Sequence, residues 1–236
     1  APIYEYDPDA PRGGFWSVLR ADHFYRRYMT YQFLLGASVM MSETALIACI
    51  SQWTEGMRAE YALSIAMTTT IPTLLAMLCI PLWSGWFDNT HVAQFRVHHS
   101  AMMMAEQAIN WAAVLLLHDR ITLLLGVIVV ARVIQGVARG GGVIAYNLGH
   151  NDFADRRLVA VYMGINVTLT GVRGAIFPFL AMALLEGVNL ERFGLPSWQG
   201  VGGHVFGACL AMTIVAHLGF RLLRRSVTAA PARSLE

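Results

Sequence analysis

Four ionisable residues stand inside long apolar runs of this sequence: Glu43, Glu106, Arg132 and Arg173. In lipid each costs about 2.5–3.5 kcal/mol on insertion scales, so such groups face protein or water and take partners. Two acids and two bases can neutralise one another, and Arg139 adds a further cation to the run that holds Arg132. Helical spacing extends each charge into a polar stripe. Gln32, Gly36 and Glu43 fall at i, i+4 and i+11, and His99, Glu106 and Asn110 at i, i+7 and i+11. Arg132, Gln135 and Arg139 follow at i, i+3 and i+7, and Asn166, Thr170 and Arg173 at i, i+4 and i+7. Four helices with one polar stripe each must turn those stripes toward a common interior or a water-filled cleft. The chemistry fits a substrate or proton pathway. It also fits a set of interhelical hydrogen bonds and ion pairs that only hold a bundle together. Glu43 and Glu106 are the proton-carrier candidates, because burial favours the neutral form of a carboxyl, an effect that an arginine partner opposes.

The elements that must position these residues are six apolar blocks of about 20 residues, the length that crosses ~30 Å of hydrocarbon. They run Met29–Ser51, Tyr61–Trp83, Val97–Leu117, Ile121–Leu148, Val159–Glu186 and Val201–Leu223. Their connections are short: Gln52–Glu60, Gly85–Arg96, His118–Arg120, Gly149–Leu158 and Gly187–Gly200. The expected organisation is a cytoplasmic N-terminal segment over residues 1–28, a six-helix bundle over 29–223 and a cytoplasmic tail over 224–236. Within the first segment, Phe15–Tyr28 mixes aromatics with arginines and reads either as a short interfacial helix or as an ordered linker. The fold class is all-α and polytopic. With 56% hydrophobic and 14% charged residues, the chain is far below the charge density of a soluble domain.

Arginine position sets the expected orientation, because basic flanks stay in the cytoplasm. Arg12, Arg20, Arg26 and Arg27 precede the first block, Arg96 follows the second, Arg156 and Arg157 follow the fourth, and Arg221, Arg224, Arg225 and Arg233 follow the sixth. The other side has only Arg58, Arg120 and Arg192, each beside an acid. Both termini are therefore expected inside. Trp53, Trp83, Trp86, Trp198 and Tyr61 fall near block ends, where amphipathic rings favour the headgroup layer. The opening stretch APIYEYDPDAPRGG is polar and turn-rich and does not read as a cleavable signal.

A net charge of +2 is too small to suggest nucleic acid, and all the basic residues are arginine. Cys49, Cys79 and Cys209 are isolated, so neither a disulfide nor a metal site is expected. His98 and His99 lack ligand spacing and are expected at an interface or in a loop. No HExxH, GxSxG or paired Ser/Lys spacing suggests an intramembrane enzyme, and no cofactor is expected. Gly136 with Gly140, and Gly203 with Gly207, form small-xxx-small pairs that let helices approach closely in lipid. The run Arg139-Gly140-Gly141-Gly142 also reads as a candidate break. Pro72, Pro81 and Pro178 each remove a backbone donor within a block.

Several stretches resemble the major facilitator superfamily, in particular the C-terminal six-helix half of a twelve-helix bacterial member. FYRRYMTYQFLLGASVMM is similar to the entry to that family's seventh helix. IPLWSGWFDNTHVAQFR resembles the loop between helices eight and nine, whose signature G-x-x-x-D-R is matched at Gly85 and Asp88 but has Asn89 in place of arginine. ARVIQGVARGGGVIAYNLGHNDFA and YMGINVTLTGVRGAIFPFLA resemble helices ten and eleven. The likeness runs from Phe24 to Leu223. It implies half of a secondary transporter in a bacterial inner membrane, moving a small solute, with proton coupling a common feature of the family. It also implies that Asp88 and Arg96 form a conformational charge relay in the loop. Half a transporter needs cover for its polar face: a second copy, a separate six-helix chain, or other subunits of a larger membrane complex. In the last case the chain is a structural or assembly subunit, for example of a respiratory or photosynthetic complex.

Overall fold

The computed structural model describes residues 14–58, 60–154, 157–189, 191 and 196–229. Arg12, Arg156, Arg192 and Arg233 lie outside the described residues, as do the first thirteen residues and the end of the tail from 230.

Six helices are long and apolar enough to cross a membrane: His23–Thr54, Glu60–Phe87, Val92–Leu117, Ile121–Leu148, Val159–Glu186 and Gly202–Thr228, referred to as spans one to six. They are 26 to 32 residues long, more than the ~20 needed to cross hydrocarbon. The chain is an all-α, polytopic integral membrane protein. Spans four and five have the bounds expected from sequence.

The other spans are longer than the apolar runs suggest, and side-chain caps account for the extensions of spans one and three. Span one starts at His23, because the Asp22 side chain accepts from the Tyr25 N–H at 2.9 Å and caps the helix. Residues 23–28 therefore belong to the bundle rather than to a separate segment. Tyr25 and Tyr28 are buried there, donating to the carbonyls of Tyr162 at 2.6 Å and Ala145 at 3.2 Å. A separate short helix, Phe15–Ala21, precedes Asp22 and buries Val18. Span two runs on to Phe87 and span three begins at Val92, which shrinks the expected 85–96 loop to residues 88–91. Val92, Ala93 and Phe95 are buried, and Asp152 accepts the Val92 N–H at 2.6 Å, so this turn forms where a loop was expected. After the 3-10 turn Gly202–His204, span six continues as one helix to Ala229, which makes the first part of the expected tail helical.

The main interfaces join the spans in the order two–four–three–six–one–five. Each of these interfaces pairs a span from the first three with one from the last three. Exchanging one with four, two with five and three with six reverses the order and leaves it unchanged. Two three-helix units, of opposite orientation because each holds an odd number of spans, are thus interleaved rather than set side by side. Glycines make the closest approach possible. A side chain at Gly136 or Gly140 would sit within 3.0 Å of the backbone at Pro72 or Ala76, and one at Gly141 would meet the Trp83 ring at 2.7 Å. The glycine run in span four is therefore a packing surface on span two, and the helix passes through it unbroken. Gly203 and Gly207 do the same against Val114 and Trp111 of span three.

Two apolar clusters fill the ends of the bundle. One gathers Tyr25, Tyr28, Trp83, Phe95, Ala145 and Phe220; the other gathers Leu46, Met67, Leu124, Ile128, Phe206 and Cys209. The polar stripes lie in the layer between them.

Candidate functional site

Span two contributes the unforeseen half of the polar layer. Its helix widens into a π turn at Ala66–Thr70, where the Ile71 N–H bonds the Ala66 carbonyl. The next residue is Pro72, which has no N–H to offer the Met67 carbonyl in the π register or the Thr68 carbonyl in the α register. Arg132 of span four fills the gap. Its Nε donates to the Met67 carbonyl at 3.1 Å, and its Nη2 reaches the Thr68 carbonyl at 3.5 Å. The same Nη2 donates to Glu43 of span one at 3.1 Å, and Nη1 lies 4.0 Å from Glu106 of span three. Gln135 donates to Glu43, and Asn110 donates to Glu106. Arg132 is 2% exposed and its guanidinium is held on every side. What remains unpartnered in this cluster accepts rather than donates: Glu106 Oε2, Asn110 Oδ1 and Gln135 Oε1.

In front of this cluster lies a cavity of about 590 Å³, lined by spans one, three, four and five. Glu43 and Gln135 form the shared wall, while Glu106, Asn110 and Arg132 stand behind it. Gln32, Arg96, His99, Arg139, Thr170 and Arg173 line the rest of it. Arg173 donates to the Gln32 carbonyl at 3.0 Å and to the Thr170 hydroxyl at 3.1 Å. It can reach span one because residue 36 is glycine; any side chain there would overlap the guanidinium. Arg96 donates Nη1 to His99 Nδ1 at 3.3 Å and directs Nε at the Tyr28 hydroxyl at 3.5 Å. An arginine only donates, so His99 accepts at Nδ1 and carries its proton on Nε2, toward Gly142.

The four stripes therefore converge, but they divide into two layers with different bonding: an inner cluster around Arg132 and an outer wall around Arg96 and Arg173. Asn166 belongs to neither: it ties spans four and five by donating to the Tyr146 carbonyl at 3.0 Å. The expected Asp88–Arg96 relay is not formed. Asp88 is exposed at the end of span two, Gly85 sits within that helix, and Arg96 has turned inward because it lies inside span three. The cross-link between the two connections on that side is instead Asp152, which caps Val92 and sits 4.0 Å from His91 Nδ1. Burial pushes the His91 imidazole below its ordinary value, with Asp152 pulling the other way. His99 is a buried member of the site rather than a loop residue, while His98 is exposed.

Tyr146 and Asn147 also line the cavity and were not expected. Tyr146 follows Arg139 by seven residues, so helical spacing already placed it on that face. No family model, no curated protein and no solved structure matches the chain.

Proposed function

We propose that this protein is half of a major-facilitator-type secondary transporter, working with a second six-helix half to move a small solute across a bacterial inner membrane. The observation that carries this reading is the cavity, whose polar wall is built by the stripes of spans one, three, four and five. The interleaved pair of three-helix units supports it, since such repeats underlie the halves of these transporters. Spans two and five are the most weakly buried, at 17% and 11% of their apolar windows, and they end the packing order on either side. A partner half laid across them would close the cavity into a central path. The arginine distribution supports both termini being cytoplasmic.

The cluster behind the wall suits proton coupling. Two carboxylates share one guanidinium, leaving one excess negative charge and an unpartnered oxygen on Glu106. One proton on Glu106 would neutralise the set and supply the missing donor. Glu43, at the cavity wall and hydrogen-bonded to the same Arg132, would pass that proton to and from solvent.

The test uses proteoliposomes of the assembly purified from its native membrane, with a pH-sensitive dye inside. A panel of small solutes should include at least one that drives proton movement, and Glu43→Gln should abolish the response. Every solute remaining at the level of empty vesicles, with native mass showing the chain bound to unrelated subunits, would instead favour a structural subunit of a larger complex.

A further inference from the structure

The arginines that face the cavity are not neutralised by anything around them. Its lining carries Arg96, Arg139 and Arg173 against the single carboxylate of Glu43. That carboxylate is already engaged by Arg132 and Gln135. Arg96 and Arg173 are 2% and 5% exposed, yet Arg96 Nη2 and Arg173 Nε have no hydrogen-bond partner. Arg139 makes no hydrogen bond or ion pair among the described residues. Buried cations are retained where a counter-charge meets them, because an unpaired buried charge is strongly destabilising. Water can satisfy an idle N–H, but it leaves the charge in place.

The site is shaped to hold these groups. Gly36 admits Arg173 against the backbone of span one, and Gly142 leaves room for His99, which braces Arg96. The planar guanidinium fork suits the paired oxygens of a carboxylate or a phosphate. The unpartnered Gln32 Oε1 at the same wall can accept a hydrogen bond from a ligand hydroxyl. At about 590 Å³ the space suits a metabolite-sized molecule rather than a bare ion.

We propose that the cavity binds a small organic anion, its carboxylate or phosphate group set against Arg96, Arg173 and Arg139. This rests on the transporter reading and gives its substrate class. The competing source of negative charge is an acidic side chain of the partner half.

Binding is tested on the purified protein in lipid nanodiscs, without any flux measurement. The ligands are succinate, glucose 6-phosphate, glucose and putrescine, and calorimetric titration is the readout. At least one of the two anions should bind at one per chain, while glucose and putrescine should not. Which anion binds separates carboxylate from phosphate. Arg139→Gln should weaken binding at least tenfold, and its fold should survive because that side chain is exposed and unbonded. Arg173→Lys keeps the charge but loses the fork, and should weaken binding as well. Arg221→Gln, exposed on span six, should leave it unchanged. No binding of either anion, or binding equal in wild type, Arg139→Gln and Arg173→Lys, would overturn the proposal and point to a partner's carboxylate. Anion binding without proton-coupled flux would remove the transporter reading and leave the site. Flux of an uncharged solute with no anion bound would do the reverse.

Discussion

Arg132 and Arg173 are the same residue type at similar depth in one membrane protein, and the structure treats them in opposite ways. Arg132 is surrounded by two carbonyls and two carboxylates from three other spans. Arg173 holds one carbonyl and one hydroxyl and keeps an idle N–H at a cavity wall. The inner cluster is left with spare acceptors and the outer wall with spare cationic donors. An intramembrane charge by itself therefore does not distinguish structure from function. The distinguishing feature is what remains unpartnered once the protein's own groups are counted.

That contrast can be broken at several points. The largest effect is expected from Arg132→Leu, which strands Glu43 and Glu106 without their cation. Breaking such a buried set costs about 3–5 kcal/mol, so thermal unfolding in detergent should show a protein near the limit of stability. Adding Glu43→Gln to that variant should recover part of the loss, because one orphaned charge is gone. Gly36→Ala comes next. Its new methyl group overlaps the Arg173 guanidinium, and overpacking of this kind costs about 1–3 kcal/mol. Arg139→Gln should change stability by less than about 0.5 kcal/mol, as expected of an exposed, unbonded side chain. Equal losses from Arg132→Leu and Arg139→Gln would erase the distinction between the two layers.

The smallest effect concerns the turn that holds Arg96 in place. His91 caps span three by accepting the Ala93 N–H at 3.1 Å, and burial lowers its affinity for a proton. As pH falls through the ordinary value of 6.5, the unfolded chain takes up a proton that the folded chain resists. Stability is thus complete above that value and declines below it. Asparagine caps helices without titrating, so His91→Asn should melt alike at about pH 5.5 and 7.5, whereas the wild type should lose about a degree at the lower value.

The sequence made the six spans legible because lipid demands long apolar runs, and spans four and five, flanked by short polar turns, were legible to the residue. The stripes were legible as well, since charges at helical spacing inside those runs admit few arrangements. Helix ends built by capping were less so. Asp22 and Asp152 extend spans one and three from outside the apolar runs, and the second acts across 60 residues of sequence. That long-range cap is why Arg96 was assigned to a loop and why its link with Asp88 does not form. The carbonyls that receive Arg132 left only an indirect signal, Pro72, which removes a donor without showing what replaces it.

Whether the polar face is wet and lies within the membrane can be measured by thiol labelling. In a background lacking Cys49, Cys79 and Cys209, single cysteines at Met40 and Thr170 line the cavity, while one at Leu218 sits on the exposed apolar side of span six. In native membrane vesicles, a water-soluble anionic methanethiosulfonate should modify the first two rapidly and leave the third untouched. Three cysteines that react alike, or cavity positions as inert as Leu218→Cys, would contradict a water-filled path between the spans.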